Sequence, residues 1–212
     1  MVYVVLYLYF AFLCILNVRS YVIRKKLHTS ERIIQLLLLS GFINEVTLYI
    51  IGKIYKNNIP YYNFVTIIEF SIFSYYFATI FKEFHKVKYI LLAVFVVFIA
   101  VYLFEVYSKG VFNRYVYSYL FRNIFILLYA IIALFLLLKN KDNLLLFTQS
   151  AIWILLAMIV YYSSSLIIFG LKNYMSKQSQ HKFTLLYIHL FLNFIFYSLF
   201  AIGLEKSSKQ MK

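Results

Sequence analysis

Cysteine and proline each occur once in 212 residues, glycine five times and acidic side chains seven times. The lone Cys14 excludes an internal disulfide framework, and inside an apolar run it reads as a small apolar side chain. Pro60 falls between apolar runs and Gly41 and Gly52 sit within one, so the helices are almost unbroken, unlike the interrupted helices of many transporters. Asp142 is the only aspartate, which excludes the paired aspartates of an intramembrane aspartyl protease. HExxH, GxSxG, Walker and kinase-core motifs are also missing, and His28, His85 and His181 stand apart without metal-ligand spacing. The run Ser163-Ser164-Ser165 has no glycine context and reads as small residues for helix packing. The sequence therefore predicts no catalytic residues, no metal and no cofactor, hence a protein that is not an enzyme.

What the chain has instead is apolar bulk. Hydrophobic residues make up 64% and charged residues 13%, against about 45–50% and about 25% in a soluble domain. Lipid must serve as solvent for much of the exterior. Seven apolar stretches fall near 2–18, 33–55, 61–81, 88–108, 115–138, 144–171 and 183–204. A spanning helix needs about 20 mostly apolar residues, and most of these stretches meet that. The expected fold is an all-α, polytopic bundle of seven transmembrane helices over 1–204, followed by a short basic tail over 205–212.

The first stretch has no charge before Arg19 and no small-x-small site after it, so it reads as an uncleaved helix rather than a signal peptide. Of the 21 basic residues, thirteen fall on the odd connectors and the tail, seven on the even connectors, and Arg122 within a helix. The positive-inside rule then predicts the N-terminus outside and the C-terminus in the cytoplasm, in a bacterial inner membrane. The formal net charge of +14 lies on short connectors beside apolar runs, a placement suited to lipid headgroups; no direct nucleic-acid partner is expected.

Polar residues inside the apolar runs are the candidate site. Ionisable groups there are costly and usually face the bundle interior. They are Asn44 and Glu45, Asn63 and Glu69, Arg122 and Asn123, Tyr161, and His189 with Asn193. His189 and Asn193, four apart, share a helical face; so do Thr66, Glu69 and Tyr76, and so do Tyr115, Ser118, Arg122 and Tyr129. Converging stripes would give a polar interior with Glu45, Glu69, Arg122 and His189 as its charges, and Glu45, Glu69 and His189 are expected to point into one cavity. Glu69–Arg122 is an attractive pair, although Arg122 lies near enough to its helix end to reach the headgroups instead. An unpaired carboxylate at the depth of Glu45 would take up a proton. Two roles compete: interhelical hydrogen bonds that fix the packing, and a ligand, ion or proton site.

Tyr61-Tyr62-Asn63 with Glu69 in NFVTIIEFSIFSYYF, AIWILLAMIVYYSSSLIIF from Ala151, and IHLFLNFIFYSLFAIGL ending at Leu204 resemble small bacterial seven-helix proteins that accompany sensor histidine kinases. The positions that carry the likeness are Glu45, Asn63, Glu69, Tyr161, His189 and Asn193. The resemblance implies a membrane module without catalysis that acts through a partner, with no ligand implied. In size, basicity and helix content the chain is also similar to membrane accessory proteins of type VI-B CRISPR systems.

The expected function is thus a non-enzymatic membrane sensor or accessory protein. Its basic face, Arg19, Arg24, Lys25, Lys26 and Arg32 together with the tail from Glu205, would dock a cytoplasmic protein partner or lipid. The competing expectation is a homo-oligomeric pore or effector of membrane integrity in a bacterial defence system.

Overall fold

The computed structural model describes residues 2–81, 85–139, 149–175 and 182–210. Within them lie seven α-helices: α1 (Val2–Ile23), α2 (Thr29–Tyr55), α3 (Ile59–Ile80), α4 (His85–Lys109), α5 (Val116–Lys139), α6 (Ser150–Met175) and α7 (Lys182–Gln210). Each contains a segment long and apolar enough to cross a membrane. At 1.5 Å per residue, even the 22-residue α3 is about 33 Å long, the thickness of a hydrocarbon core. The chain is a multi-pass membrane protein of all-α class.

Local chemistry sets the helix ends. A 3-10 turn, Arg24–Lys26, closes α1, and extended His28 opens α2. Lys56, in the left-handed region at φ 55°, stops α2. Pro60 occupies the first turn of α3, where its missing N–H breaks no intrahelical bond. Gly110, at φ 71°, follows α4 and lets the chain turn toward α5.

Short connectors make successive helices antiparallel. Helices α1, α2, α3, α5, α6 and α7 close a ring in that order, and α2 also packs across the ring onto α7. The bundle therefore reads as two trios, α1–α2–α7 and α3–α5–α6, with α4 outside against α3 and α5. The most extensive contact joins α6 and α7. Gly203 makes it possible: a Cβ there would come within 2.8 Å of Ile154 and 3.1 Å of the Ser150 carbonyl. The core is aromatic, with Phe70, Tyr76, Phe77, Phe98, Tyr162 and Phe200 among its fully buried side chains. Leu92, Val96, Val97 and Phe104 on α4 stand exposed, as lipid-facing residues do.

Several expected boundaries move: α1 runs past residue 18 to Ile23, α2 starts at Thr29 rather than 33, α6 ends at Met175 rather than 171, and α7 continues through the expected tail to Gln210. The reason at the end of α7 is local: Glu205 pairs with Arg19 on α1, and Ser207 and Ser208 are buried, so this segment has helix partners of its own. The expected start of the sixth span at 144 and the connector residues Lys82, Lys141 and Lys177 lie outside the described residues, as does Lys212.

Candidate functional site

The intramembrane polar residues gather into two clusters, one in each trio. In the α3–α5–α6 trio, Arg122 and Glu69 form an ion pair through Nη1 and Oε2. The arginine is buried, and the glutamate side chain is 28% exposed. Arg122 also donates from Nε and Nη2 to Asn123 Oδ1 at 3.1 and 3.0 Å. Asn123 in turn donates to Ser165 Oγ at 3.2 Å, and the Ser165 hydroxyl meets the Tyr119 hydroxyl at 2.5 Å. One chain of hydrogen bonds thus runs from α3 through α5 to α6. Arg122 stays in this network rather than reaching for the headgroups, because a carboxylate and an amide oxygen satisfy its fork inside the bundle.

In the α1–α2–α7 trio, Glu45 accepts from the Tyr9 hydroxyl at 3.3 Å and from Asn193 Nδ2 at 3.2 Å. Asn193 Nδ2 also lies 3.4 Å from His189 Nε2, as the spacing of four requires. No Lys or Arg approaches Glu45 within ion-pair distance among the described residues.

A cavity of about 30 Å³ lies where α2, α3, α6 and α7 meet. Glu69, Ser40, Tyr161, Tyr162 and Tyr197 supply its polar wall, and Phe73, Phe196 and Phe200 much of the rest. Its volume suits one water, which needs about 10–15 Å³ for its centre and two to four polar partners. Tyr161 connects the clusters: its ring lines the cavity beside Glu69 and lies 6.5 Å from the His189 ring. Gly41 gives Tyr197 its place, since a Cβ at that position would collide with the Tyr197 hydroxyl.

Arg122 and Asn193 are buried and Glu45, Glu69, Tyr161 and His189 half-buried, and they gather around two centres rather than one: the cavity is lined by Glu69 and Tyr161 and not by Glu45 or His189. Asn44 and Asn63 join neither. Asn44 accepts from the Tyr61 hydroxyl at 2.9 Å, across the α2–α3 turn. Asn63 pins the α4–α5 connector: it donates to the Asn113 carbonyl at 2.8 Å and accepts from the Tyr115 N–H at 3.3 Å. Asn44, near the middle of α2, and Asn63, at the start of α3, are packing residues whose hydrogen bonds go to Tyr61 and to the α4–α5 connector instead of to either cluster.

The basic face also divides. Arg19 is engaged by Glu205, and Arg32 Nε donates to the Leu27 carbonyl at 3.1 Å. Arg24, Lys25 and Lys26 are exposed on their 3-10 turn, and their side chains make no hydrogen bond or ion pair among the described residues.

Two buried acids escaped the sequence reading. Glu105 of α4 is fully buried and accepts from Lys109 at 2.7 Å, from the Tyr117 and Ser118 N–H groups at 3.1 and 2.7 Å, and from the Ser118 hydroxyl at 2.7 Å. It caps the N-terminus of α5 from a different helix, a role normally taken by the residue just before the helix. The available signal was its i,i+4 partner Lys109. Glu31, in the first turn of α2, is buried and accepts from the Ser150 hydroxyl at 2.7 Å, tying the start of α2 to the start of α6.

Comparison of the chain with protein-family models, with curated proteins and with solved structures finds no match. The class is set by the fold alone: a polytopic helical membrane protein with two intramembrane polar clusters.

Proposed function

We propose that this chain is a non-enzymatic sensor or accessory protein of the bacterial inner membrane that acts through a cytoplasmic protein partner. One observation carries the reading: Arg24, Lys25 and Lys26 stand exposed and unpaired on a turn whose neighbouring arginines are both engaged within the chain. Three cations on one short turn, at a membrane boundary, form a docking patch for an acidic protein surface or anionic lipid. The positive-inside count predicts a cytoplasmic position for that patch. The interior clusters supply the sensing half, with Glu45, Tyr9, His189 and Asn193 as the responsive group.

The resemblance read from the sequence to companions of sensor kinases suggests one kind of partner, and the similarity to accessory proteins of type VI-B CRISPR systems suggests the alternative; no match to a known protein carries either. The cavity where α2, α3, α6 and α7 meet admits about one water and is too small for a lumen, so the pore reading places its lumen between copies of the chain.

The test is a mild-detergent pull-down from native membranes, comparing the wild type with a variant in which Arg24, Lys25 and Lys26 are all changed to Glu. The expected result is a co-purifying protein that is lost in the variant while membrane insertion persists. Retention of the partner by a correctly inserted variant contradicts docking at this turn. Recovery of the chain alone as a defined oligomer favours the pore.

A further inference from the structure

At the opposite end of the bundle, in the connector between α4 and α5, Arg114 is held in a cage of three aromatic rings. Its guanidinium carbon lies 5.2 Å from the centre of Tyr62 on α3, 5.5 Å from Tyr119 on α5 and 5.5 Å from Phe169 on α6. Ring faces attract the cation, but they satisfy few of its five N–H donors. Nε is buried and has no hydrogen-bond partner among the described residues.

Charge at this end is unbalanced. Lys109 pairs with Glu105 and Arg122 with Glu69, which leaves Arg114 without a carboxylate among the described residues. Arg122 also lies 4.8 Å from the Tyr119 ring. Two guanidinium groups thus share one ring, and a single carboxylate compensates them. A planar fork already fixed by packing loses little entropy on binding and matches an oxyanion in bidentate fashion. The connector sits at a helix end, the depth of lipid headgroups.

We propose that Arg114 is a receptor for a phosphate oxyanion, carried by a lipid headgroup or by a free phosphate ion. This site is separate from the docking turn and does not depend on it. A bound phosphate would compensate the third cation and brace α3, α5 and α6 at once. Tyr119 carries the link inward, since its hydroxyl meets Ser165, which receives Asn123, the partner of Arg122.

The test uses the full chain in a maltoside detergent, which contains no phosphate. Its thermal midpoint is followed while inorganic phosphate or short-chain phosphatidylglycerol is added at constant ionic strength. The expected result is a saturable rise for the wild type and an apparent affinity weaker by about tenfold or more in Arg114→Gln, from losing one charged hydrogen-bonding group. Arg114→Lys, which keeps the charge without the fork, falls between the two. Should Arg114→Gln fail to fold, Phe169→Leu opens one wall of the cage and should weaken the response severalfold. A rise with both ligands assigns the oxyanion itself, and a rise with the lipid alone assigns a headgroup. No rise with either ligand, or an equal rise in the wild type, Arg114→Gln and Phe169→Leu, overturns the proposal.

Discussion

The two interior clusters differ in how their carboxylates are held. Glu69 faces a guanidinium that is itself fixed by Asn123, so charge and hydrogen-bonding capacity are matched across α3, α5 and α6. Glu45 is held by a phenol and an amide at 3.3 and 3.2 Å, across α1, α2 and α7, with no cation beside it among the described residues. The first arrangement fixes a structure; the second leaves a group free to change state. In a bilayer the hydrophobic effect does not drive helices together, so such polar contacts and close packing decide which helices meet. α4 and α5 illustrate this. They are nearly equal in length, at 25 and 24 residues. Yet α5 buries Ser118, Arg122, Asn123 and Tyr129 along one face, while α4 stays at the edge, tethered by Glu105.

The contrast can be broken most severely at Arg122. Arg122→Met strands the Glu69 carboxylate in the interior and should destabilise the bundle by about 3 kcal/mol, read by unfolding in mixed micelles. Glu105→Leu removes the acceptor of two N–H groups at the start of α5, and the expected loss is about 2 kcal/mol by the same assay. It should also raise hydrogen exchange at Tyr117 and Ser118. Glu45→Gln keeps an acceptor for Tyr9 and Asn193, so its stability should fall by less than about 1 kcal/mol. A fall as large as that of Arg122→Met would erase the distinction between the clusters. Leu92→Ala, on the lipid-facing side of α4, should change stability by no more than about 0.5 kcal/mol.

Much of the fold was legible because its signal is local. Seven apolar runs of spanning length give seven helices, and depth within a run marks Glu45, Glu69 and Asn193 as interior. Spacing also placed His189 with Asn193, and Tyr115, Ser118, Arg122 and Tyr129 on one buried stripe. What spacing within one helix cannot give is the partner across the gap. Asn44 and Asn63 have the depth of site residues but spend their hydrogen bonds on Tyr61 and on the α4–α5 connector. Glu105 and Glu31 stand near helix ends, where a charge is ordinary in sequence, and only the meeting of α4 with α5 and of α2 with α6 makes them buried acceptors. The cage around Arg114 draws its rings from three helices separated by more than fifty residues between neighbours in one case, so no window of sequence displays it.

The Glu69–Arg122 pair locks its trio, whereas Glu45 and Asn193 do not lock theirs. Double-mutant cycles on both pairs, with Glu69→Leu against Arg122→Met and Glu45→Leu against Asn193→Leu, measure this directly. The expected coupling is about 2 kcal/mol or more for the first pair and below about 1 kcal/mol for the second. Additive effects at Glu69 and Arg122, within about 0.5 kcal/mol, would contradict it.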